Sequence, residues 1–168
     1  ALPADAVTPV DEMQIEGDAA GGRLDFSAWQ QGTEALAWIV DAAELEAALR
    51  TAARFSPHLA WLGEGDATDA PLTVLAEGKA SASRAALGVQ FKRQAYGHTA
   101  LAARLQADAP HTGAARQWFR SPDVLALLPF DRPTPGCSYG LVWSLPAERA
   151  AALRDAPVAE FEAALAEA

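Results

Sequence analysis

Four apolar segments in the second half of the chain constrain its fold more than any other feature. Turns rich in proline and glycine separate these segments, which cover residues 96–106, 114–120, 124–130 and 137–144. In the last segment, large apolar side chains alternate with small ones, so Tyr139, Leu141 and Trp143 share one face. Strands joined by short turns pair with their neighbours, and the series therefore predicts an antiparallel sheet.

Two alanine-rich segments follow this predicted sheet, at residues 146–154 and 157–168. In the second, Val158, Phe161 and Leu165 recur at helical spacing. A run of strands followed by helices is typical of the α+β class, and we expect an antiparallel sheet with helices on one face.

The first ninety residues contain both segments with the alternation of β-strands and segments with the apolar spacing of helices. Strands are predicted at residues 8–15, 23–26 and 36–40. Asp41 then stands as the N-cap of a helix that reaches residue 55, with Glu44 as its capping-box partner. Further strands at 58–62 and 72–76 and a short helix at 81–87 complete this region.

The helix-strand order over residues 41–90 predicts a partial α/β segment. We therefore divide the chain into a region of strands at 1–40, a partial α/β segment at 41–90, and an antiparallel sheet with C-terminal helices at 91–168.

Composition excludes several classes of function. The formal net charge of −9 leaves no basic stripe for nucleic acid. A single cysteine cannot form an internal disulfide, and it fits a reducing, cytoplasmic compartment.

Three scattered histidines without cysteine pairs predict no metal site, and we expect His111, which lies in a turn, to be solvated. No apolar run reaches the length of a transmembrane segment, and no secretory signal opens the chain.

One short motif carries most of the chemical information. Residues 76–84 read A-E-G-x-x-S-x-x-R directly after an apolar run. Glycine at a strand end permits close approach of a ligand, an acid accepts hydrogen bonds from a ribose or amide, and a capped helix start favours phosphate. An acid-glycine pair alone usually marks a turn, but the combination makes a candidate cofactor-binding set of Glu77, Gly78, Ser81 and Arg84.

This motif resembles the A-D-G-x-x-S-x-x-R segment of FAD-dependent aromatic hydroxylases. Residues 96–100, Y-G-H-T-A, are similar to the Y-G-Q-T-A segment of the ubiquinone-biosynthesis hydroxylases in that group. Further similar fragments stand in the family's order at residues 13–15, 22–26, 36–40, 110–119, 125–129 and 141–146. The chain thus resembles the middle portion of a ubiquinone-biosynthesis hydroxylase.

The resemblance implies a chemistry and a set of site residues. The family uses FAD, NAD(P)H and O2 to hydroxylate an aromatic ring such as a prenylated phenol, a ubiquinone precursor. Its substrate domain is an antiparallel sheet that covers the flavin. The resemblance implies that residues 1–40 and 91–168 belong to this substrate domain and that residues 41–90 are a partial FAD-domain segment. The resemblance implies that His98, Leu128 and Pro129 face flavin or substrate, and Trp118 and Trp143 are candidates for the wall of an aromatic pocket. No side chain is assigned as an acid, base or nucleophile.

The chain departs from the family pattern in three ways. Glu77 replaces aspartate, His98 replaces glutamine, and the G-x-G-x-x-G phosphate loop and the flavin-contact G-D segment are missing. Without a phosphate loop, we expect the isolated chain to bind FAD poorly and to be inactive.

The same departures leave two other readings open: a non-catalytic module that binds an aromatic or lipid-like ligand, and a structural α+β domain. The face left by a missing FAD lobe would favour self-association. Lipophilic quinone precursors would favour peripheral membrane contact.

Overall fold

The computed structural model describes residues 1–19, 21–63, 66 and 69–168. The chain forms two compact units, the first made of Ala1–Phe55 and Gly97–Ala168 and the second of Ser56–Tyr96. The fold is α+β, as predicted. The three-part division into substrate-domain and FAD-domain segments stays a prediction.

Among the described residues of the first unit, eight strands form two sheets. The helices are short except for one of 13 residues, α2. The strands are β1 (Val7–Val10), β2 (Glu12–Glu16), β3 (Arg23–Ser27), β4 (Ala37–Val40), β5 (His98–Gln106), β6 (Ala114–Arg120), β7 (Asp123–Phe130) and β8 (Ser138–Pro146). The helices are α1 (Ala28–Gln31), α2 (Ala42–Arg54), α3 (Ala82–Ala86) in the second unit, α4 (Ala147–Asp155) and α5 (Val158–Ala166).

The larger sheet has the order β3-β2-β6-β7-β8-β5. Its last four strands are the four predicted from the sequence, and they pair antiparallel with one another. The β2–β6 pair is parallel, with Glu12 opposite Ala114, so the sheet is mostly rather than wholly antiparallel.

The strand predicted over residues 8–15 is instead two strands that belong to different sheets. β1 pairs with β4, whereas β2 pairs with β3 and β6. The chain changes sheets at Asp11, whose N–H donates to the Gly113 carbonyl at 2.8 Å while its carbonyl accepts from the Ala28 N–H. These two hydrogen bonds satisfy both the N–H and the carbonyl of Asp11, the residue between the two strands.

Helices α4 and α5 cover one face of the larger sheet over strands β5, β8 and β7, and the core lies there. Leu125, Leu141, Trp143 and Leu145 are buried there together with Ala150 of α4. The Trp143 ring meets Phe161 of α5 edge-on, with ring centroids 6.1 Å apart. Burial of these apolar side chains supplies the main driving force for folding of this unit.

The other face of the larger sheet, which we name the open face, stays partly exposed. Residues opposite one another in neighbouring strands point to the same side, and successive residues alternate. The strand register therefore assigns a connected set of apolar side chains to this face. Four of its large members are between 39% and 52% exposed: Leu24, Phe26, Phe119 and Val142.

The second unit contains a 3-10 turn at Gly78–Ala80 and helix α3. The short predicted helix is confirmed, since the Ser81 Oγ accepts from the Arg84 N–H at 3.0 Å and so caps it. The strands predicted at residues 58–62 and 72–76 are wrong, because neither segment pairs with another strand. Three of their large apolar side chains, Trp61, Leu72 and Val74, are more than 60% exposed.

Candidate functional site

The predicted cofactor-binding residues lie in the second unit and the predicted substrate-binding residues in the first. Each set is therefore described within its own unit.

The structure brings the four motif residues together through hydrogen bonds among themselves and their neighbours. The Glu77 carboxylate accepts from the Ser81 hydroxyl, from the Ser83 hydroxyl and from the Ser83 N–H, the last at 3.2 Å. The Arg84 guanidinium donates to the carbonyls of Gly78 and Lys79, at 3.5 and 2.8 Å. The motif thus folds a tight loop onto the start of α3.

The electrostatics of this loop follow from the same contacts. Hydrogen bonds from Ser81 and then Ser83 hold the pKa of Glu77 below its ordinary value, so its carboxylate is charged at neutral pH. The Arg84 guanidinium lies 4.3 Å from the centroid of the Phe91 ring, a cation–π contact that adds to the order of the loop.

Gly78 has a local reason to be glycine. Its φ is +72°, in the left-handed region, and no atom of the described chain lies within 4 Å of the position that a Cβ would take. The backbone conformation therefore favours glycine here, whereas close packing within the chain does not.

The motif alone does not fit a bound FAD. Its carboxylate and its guanidinium are engaged with their own loop, and α3 has only five residues. A dinucleotide pyrophosphate is normally held by a glycine-rich turn and the N-terminus of a long helix. The residues that the structure describes in the second unit therefore do not form a phosphate site for a dinucleotide.

The predicted substrate residues fall on two sides of the larger sheet. The register places His98 and Leu128 on the open face. It places Trp118 and Trp143 on the helix-covered face, where Trp143 is fully buried, and Pro129 is also fully buried. These five residues therefore do not share one face.

A cavity of about 460 Å³ opens where the open face meets the start of α2. Arg104 lines it, and the Arg104 guanidinium lies 4.9 Å from the centroid of the Phe130 ring and donates to Asp41 Oδ2 at 2.9 Å. The remaining walls come from β4 and from the small residues Ala102 and Gly140. Such a volume lies within the range of small-molecule pockets.

Sequence reasoning missed Arg104. The available signal was a charged residue in the middle of an otherwise apolar strand, L-A-A-R-L over residues 101–105. Asp41 was predicted only as a helix cap. That prediction is confirmed, since its carboxylate accepts from the N–H groups of Ala43 and Glu44 at 3.0 and 3.5 Å.

The charge on Asp41 is stabilised in spite of burial. Burial raises its pKa, but hydrogen bonds from the Ala43 and Glu44 amides and from Arg104 together bring the pKa below its ordinary value. The Glu44 carboxylate does not complete the predicted capping box, since the Asp41 N–H already donates to the Ala6 carbonyl at 2.9 Å. Glu44 instead accepts from Arg132 at 2.9 Å.

His111 is buried, and the expectation that it is solvated is wrong. The Gly113 N–H donates to its Nδ1 at 3.1 Å, so the ring proton sits on Nε2 and donates to Asp131 Oδ1, also at 3.1 Å. Burial raises the pKa of Asp131, but hydrogen bonds from Gly136 N–H, His111 and Thr8 bring it below its ordinary value. The cluster ties the loop before β6 and the loop before β8 to strand β1, and we assign it a structural role.

Two classes of feature are not found among the described residues. No group of three or more His, Cys, Asp or Glu side chains there could hold a metal ion. None of the helices in the described part of the chain is long and apolar enough to span a membrane.

Comparison with known proteins relates part of the chain to a ubiquinone hydroxylase. No family model matches the chain. The ubiquinone hydroxylase UbiL of Rhodospirillum rubrum is 30% identical to it over 106 residues, which are 63% of this chain and 24% of that protein. The matched stretch thus spans about a quarter of the length of the relative. The similarity therefore relates this chain to one portion of a hydroxylase.

Proposed function

We propose that this chain is the substrate-binding portion of an FAD-dependent monooxygenase that hydroxylates an aromatic ring, such as a ubiquinone precursor. The observation that carries the proposal is the open face, a wide apolar surface on a sheet whose opposite side is covered by helices. The similarity to a ubiquinone hydroxylase supports the reaction class.

In this proposal the ring of the substrate enters the cavity beside Arg104 and Phe130. Asp41 holds the Arg104 guanidinium over the Phe130 ring, so its position is fixed before a ligand arrives. The guanidinium carries five N–H donors, and those not used by Asp41 can donate to a ring oxygen and stabilise its negative charge. A ring whose oxygen keeps this negative charge is richer in electrons, and such a ring accepts an oxygen atom more readily.

The apolar remainder of the open face would hold a prenyl tail. Leu24 and Phe26 lie on β3, and Phe119 lies on β6. In the strand order of the sheet, β3 forms the edge opposite β5, the strand that carries Arg104. Burial of apolar surface contributes roughly 25 cal/mol per Å², so a long hydrocarbon tail would supply much of the affinity. His98 and Leu128 lie on the same face and are proposed to contact substrate or flavin.

FAD, with NAD(P)H and O2, supplies the redox chemistry when it is bound; the residues of this chain bind and orient the ring and exclude water. Glu77, Gly78, Ser81 and Arg84 are proposed to form a loop beside the nucleotide. Because this loop does not form a phosphate site, we propose that the chain alone neither holds FAD firmly nor turns over substrate.

One observation favours a second function, a non-catalytic ligand-binding module. Glu77 and Arg84 bond to their own loop, which is the arrangement expected if the motif now serves only to shape a turn. This alternative shares the open face with the first proposal and differs only in whether a flavin is ever used.

The test of the open face is an NMR titration of the methyl-labelled chain with 2-prenylphenol. We expect saturable shifts at Leu128 and Val142, and no shift at Leu145, which is fully buried in the core on the other face of β8. Arg104→Gln should weaken binding at least fivefold, whereas Arg50→Gln, a matched change on the exposed surface of α2, should not. Shifts confined to Leu145 and its core neighbours would overturn the proposal.

A parallel titration with FAD separates the two functions. Hydroxylation of the same phenol after addition of a nucleotide-binding partner portion would establish the monooxygenase. Phenol binding without any effect of FAD, with or without such a portion, would establish the binding module.

A further inference from the structure

The two edge strands of the larger sheet differ in how well they are protected from pairing with another strand. Strand β3 is five residues long and carries the ion pair of Arg23 with Asp25, and charged side chains on an edge oppose the approach of a further strand. Strand β5 is nine residues long, contains no proline and no acidic residue, and carries Arg104 as its one arginine. The outer side of β5, which we name the free edge, therefore lacks the features that usually block pairing.

Alternate backbone groups of β5 point toward the free edge. Directly after the strand, the Ala107 N–H donates to the Cys137 carbonyl at 2.9 Å. Hydrogen-bonded residues alternate in an antiparallel pair, so the odd-numbered residues of β5 bond to β8. The N–H and carbonyl groups of Ala100, Ala102 and Arg104 consequently face outward, and β5 has no second strand neighbour among the described residues.

An apolar cavity of about 250 Å³ adjoins β5 on the helix-covered face. Leu101 and Ala103 of β5 line it, together with Leu153 of α4 and with Val158 and Phe161 of α5. Val158 is 72% exposed, so much of this apolar wall is uncovered in the single chain. A sheet edge accepts an added strand when main-chain groups can pair and alternate side chains find a pocket, and β5 offers both.

The second unit contains a segment with the composition of such an added strand. Residues 72–75, which we name the donor segment, read L-T-V-L and contain the β-branched residues Thr73 and Val74. Leu72 and Val74 are two residues apart, so they would share one face of a strand, and they are 77% and 78% exposed. The donor segment forms neither helix nor strand in the single chain.

We propose that two copies of this chain associate by strand exchange, in which the donor segment of each copy pairs with the free edge of the other. The main chain of the donor segment bonds to the outward backbone groups of β5. Leu72 and Val74 enter the apolar cavity between β5 and the helices, where they are removed from water.

A second copy suits this edge for reasons of symmetry, area and charge. Each copy has one free edge and one donor segment, so reciprocal exchange uses both and closes the assembly at a two-fold dimer. A stable interface buries roughly 1,200 Å² or more, and exchange doubles the area that one short strand can bury. The net charge of −9 opposes association, but the donor segment is uncharged and β5 has no acidic residue, so the contact brings no negative side chains together.

The first experiment follows amide hydrogen exchange in the 15N-labelled full chain at increasing protein concentration. The outward Ala102 N–H should exchange at least about tenfold more slowly as the dimer forms, because it gains a hydrogen bond. The Ala103 N–H bonds to β8 and should be protected at every concentration, so it serves as the internal control. A chain that stays monomeric, or that dimerises while exchange at Ala102 stays constant, would overturn the proposal.

Two variants each remove one half of the contact. Val74→Asp puts a charge into the apolar cavity, and Ala102→Pro removes an outward N–H without removing a bond to β8. Each variant alone should dimerise at least about tenfold more weakly in sedimentation measurements. Leu49→Asp, a similar change at a residue of α2 that is 61% exposed, should leave dimerisation intact.

Mixing the two variants distinguishes strand exchange from the pairing of two β5 strands with each other. Val74→Asp retains an intact free edge and Ala102→Pro retains an intact donor segment. An equimolar mixture should therefore associate more tightly than either variant alone, although less tightly than the unmodified chain. Unchanged dimerisation of Val74→Asp, or a mixture that associates no better than its components, would contradict the proposal. The exchange experiment on the unmodified chain decides the question even if a variant does not fold.

Discussion

Arg104 Nη2 donates a hydrogen bond to Asp41 Oδ2 over 2.9 Å, and this contact joins strand β5 to the first turn of helix α2. The same carboxylate caps the helix through its other oxygen. The Asp41 side chain is 6% exposed, whereas that of Arg104 is 57% exposed. The buried carboxylate therefore needs its hydrogen-bond partners to stay charged, while the guanidinium is also solvated. One buried side chain therefore fixes both the start of α2 and the guanidinium of the proposed substrate cavity.

Replacement of Asp41 should separate its two roles. Asp41→Ala removes the cap and the partner of Arg104, and we expect Tm to fall by about 4 °C. Asp41→Asn keeps an oxygen that can cap the helix but loses the charge, and its Tm should fall by about half as much. Thermal unfolding followed by circular dichroism measures both. Identical Tm values for the two variants would contradict the division of roles.

Acid should weaken the cluster around Asp131. Its folded-state pKa lies below the ordinary value of 3.8, so its charge stabilises the fold above that pH, and this stabilisation is lost as the pH falls through the folded-state pKa. Urea unfolding at pH 7, 4, 3 and 2.5 should show the stability advantage of the unmodified chain over Asp131→Asn shrinking below pH 4.

Other carboxylates also contribute to acid sensitivity, which is why the comparison with Asp131→Asn is needed. The pKa values of Asp5, Asp41, Glu77 and Asp155 are likewise lowered by their hydrogen-bond partners. An advantage of the unmodified chain that stays constant from pH 7 to 2.5 would show that the Asp131 charge does not stabilise the fold.

Local sequence signals predicted the second half of the fold well. Alternation in β8 placed Tyr139, Leu141 and Trp143 on one face, and all three are buried there. The turns between β5, β6, β7 and β8 and the helices α4 and α5 were also found at nearly their correct places. Each of these features depends on residues that are close in sequence, so a single sequence contains the information.

The features that were missed depend on contacts between distant residues. The parallel pairing of Gln14 with Arg116 joins segments about a hundred residues apart and leaves no periodic pattern. The apolar run at 58–62 reads as a strand, but a strand needs a partner, and the described residues offer none. The contact of Asp41 with Arg104 spans 63 residues, so the cavity that it organises could not be predicted.

The two faces of β8 give a direct test of where the core lies. Leu141 is 1% exposed and Val142 is 40% exposed, although they are adjacent. Leu141→Ala should lower the free energy of unfolding by about 3 kcal/mol, because it removes buried methyl groups and leaves a cavity. Val142→Ala should lower it by less than about 1 kcal/mol. Urea unfolding measures both, and comparable losses would mean that the open face is packed against something in solution.

Self-association should arise from the second unit. Trp61, Leu72 and Val74 are 64%, 77% and 78% exposed, and large exposed apolar side chains favour association in water. We expect light scattering to show a mass that rises with concentration above that of the 17.6 kDa monomer.

The double change Leu72→Asp and Val74→Asp should suppress the rise by introducing charge where apolar surface would be buried. Arg50→Asp, a charge change of similar size on the exposed surface of α2, should leave it intact. A strict monomer at high concentration would show that these side chains remain solvated, and equal suppression by both changes would assign the effect to net charge instead.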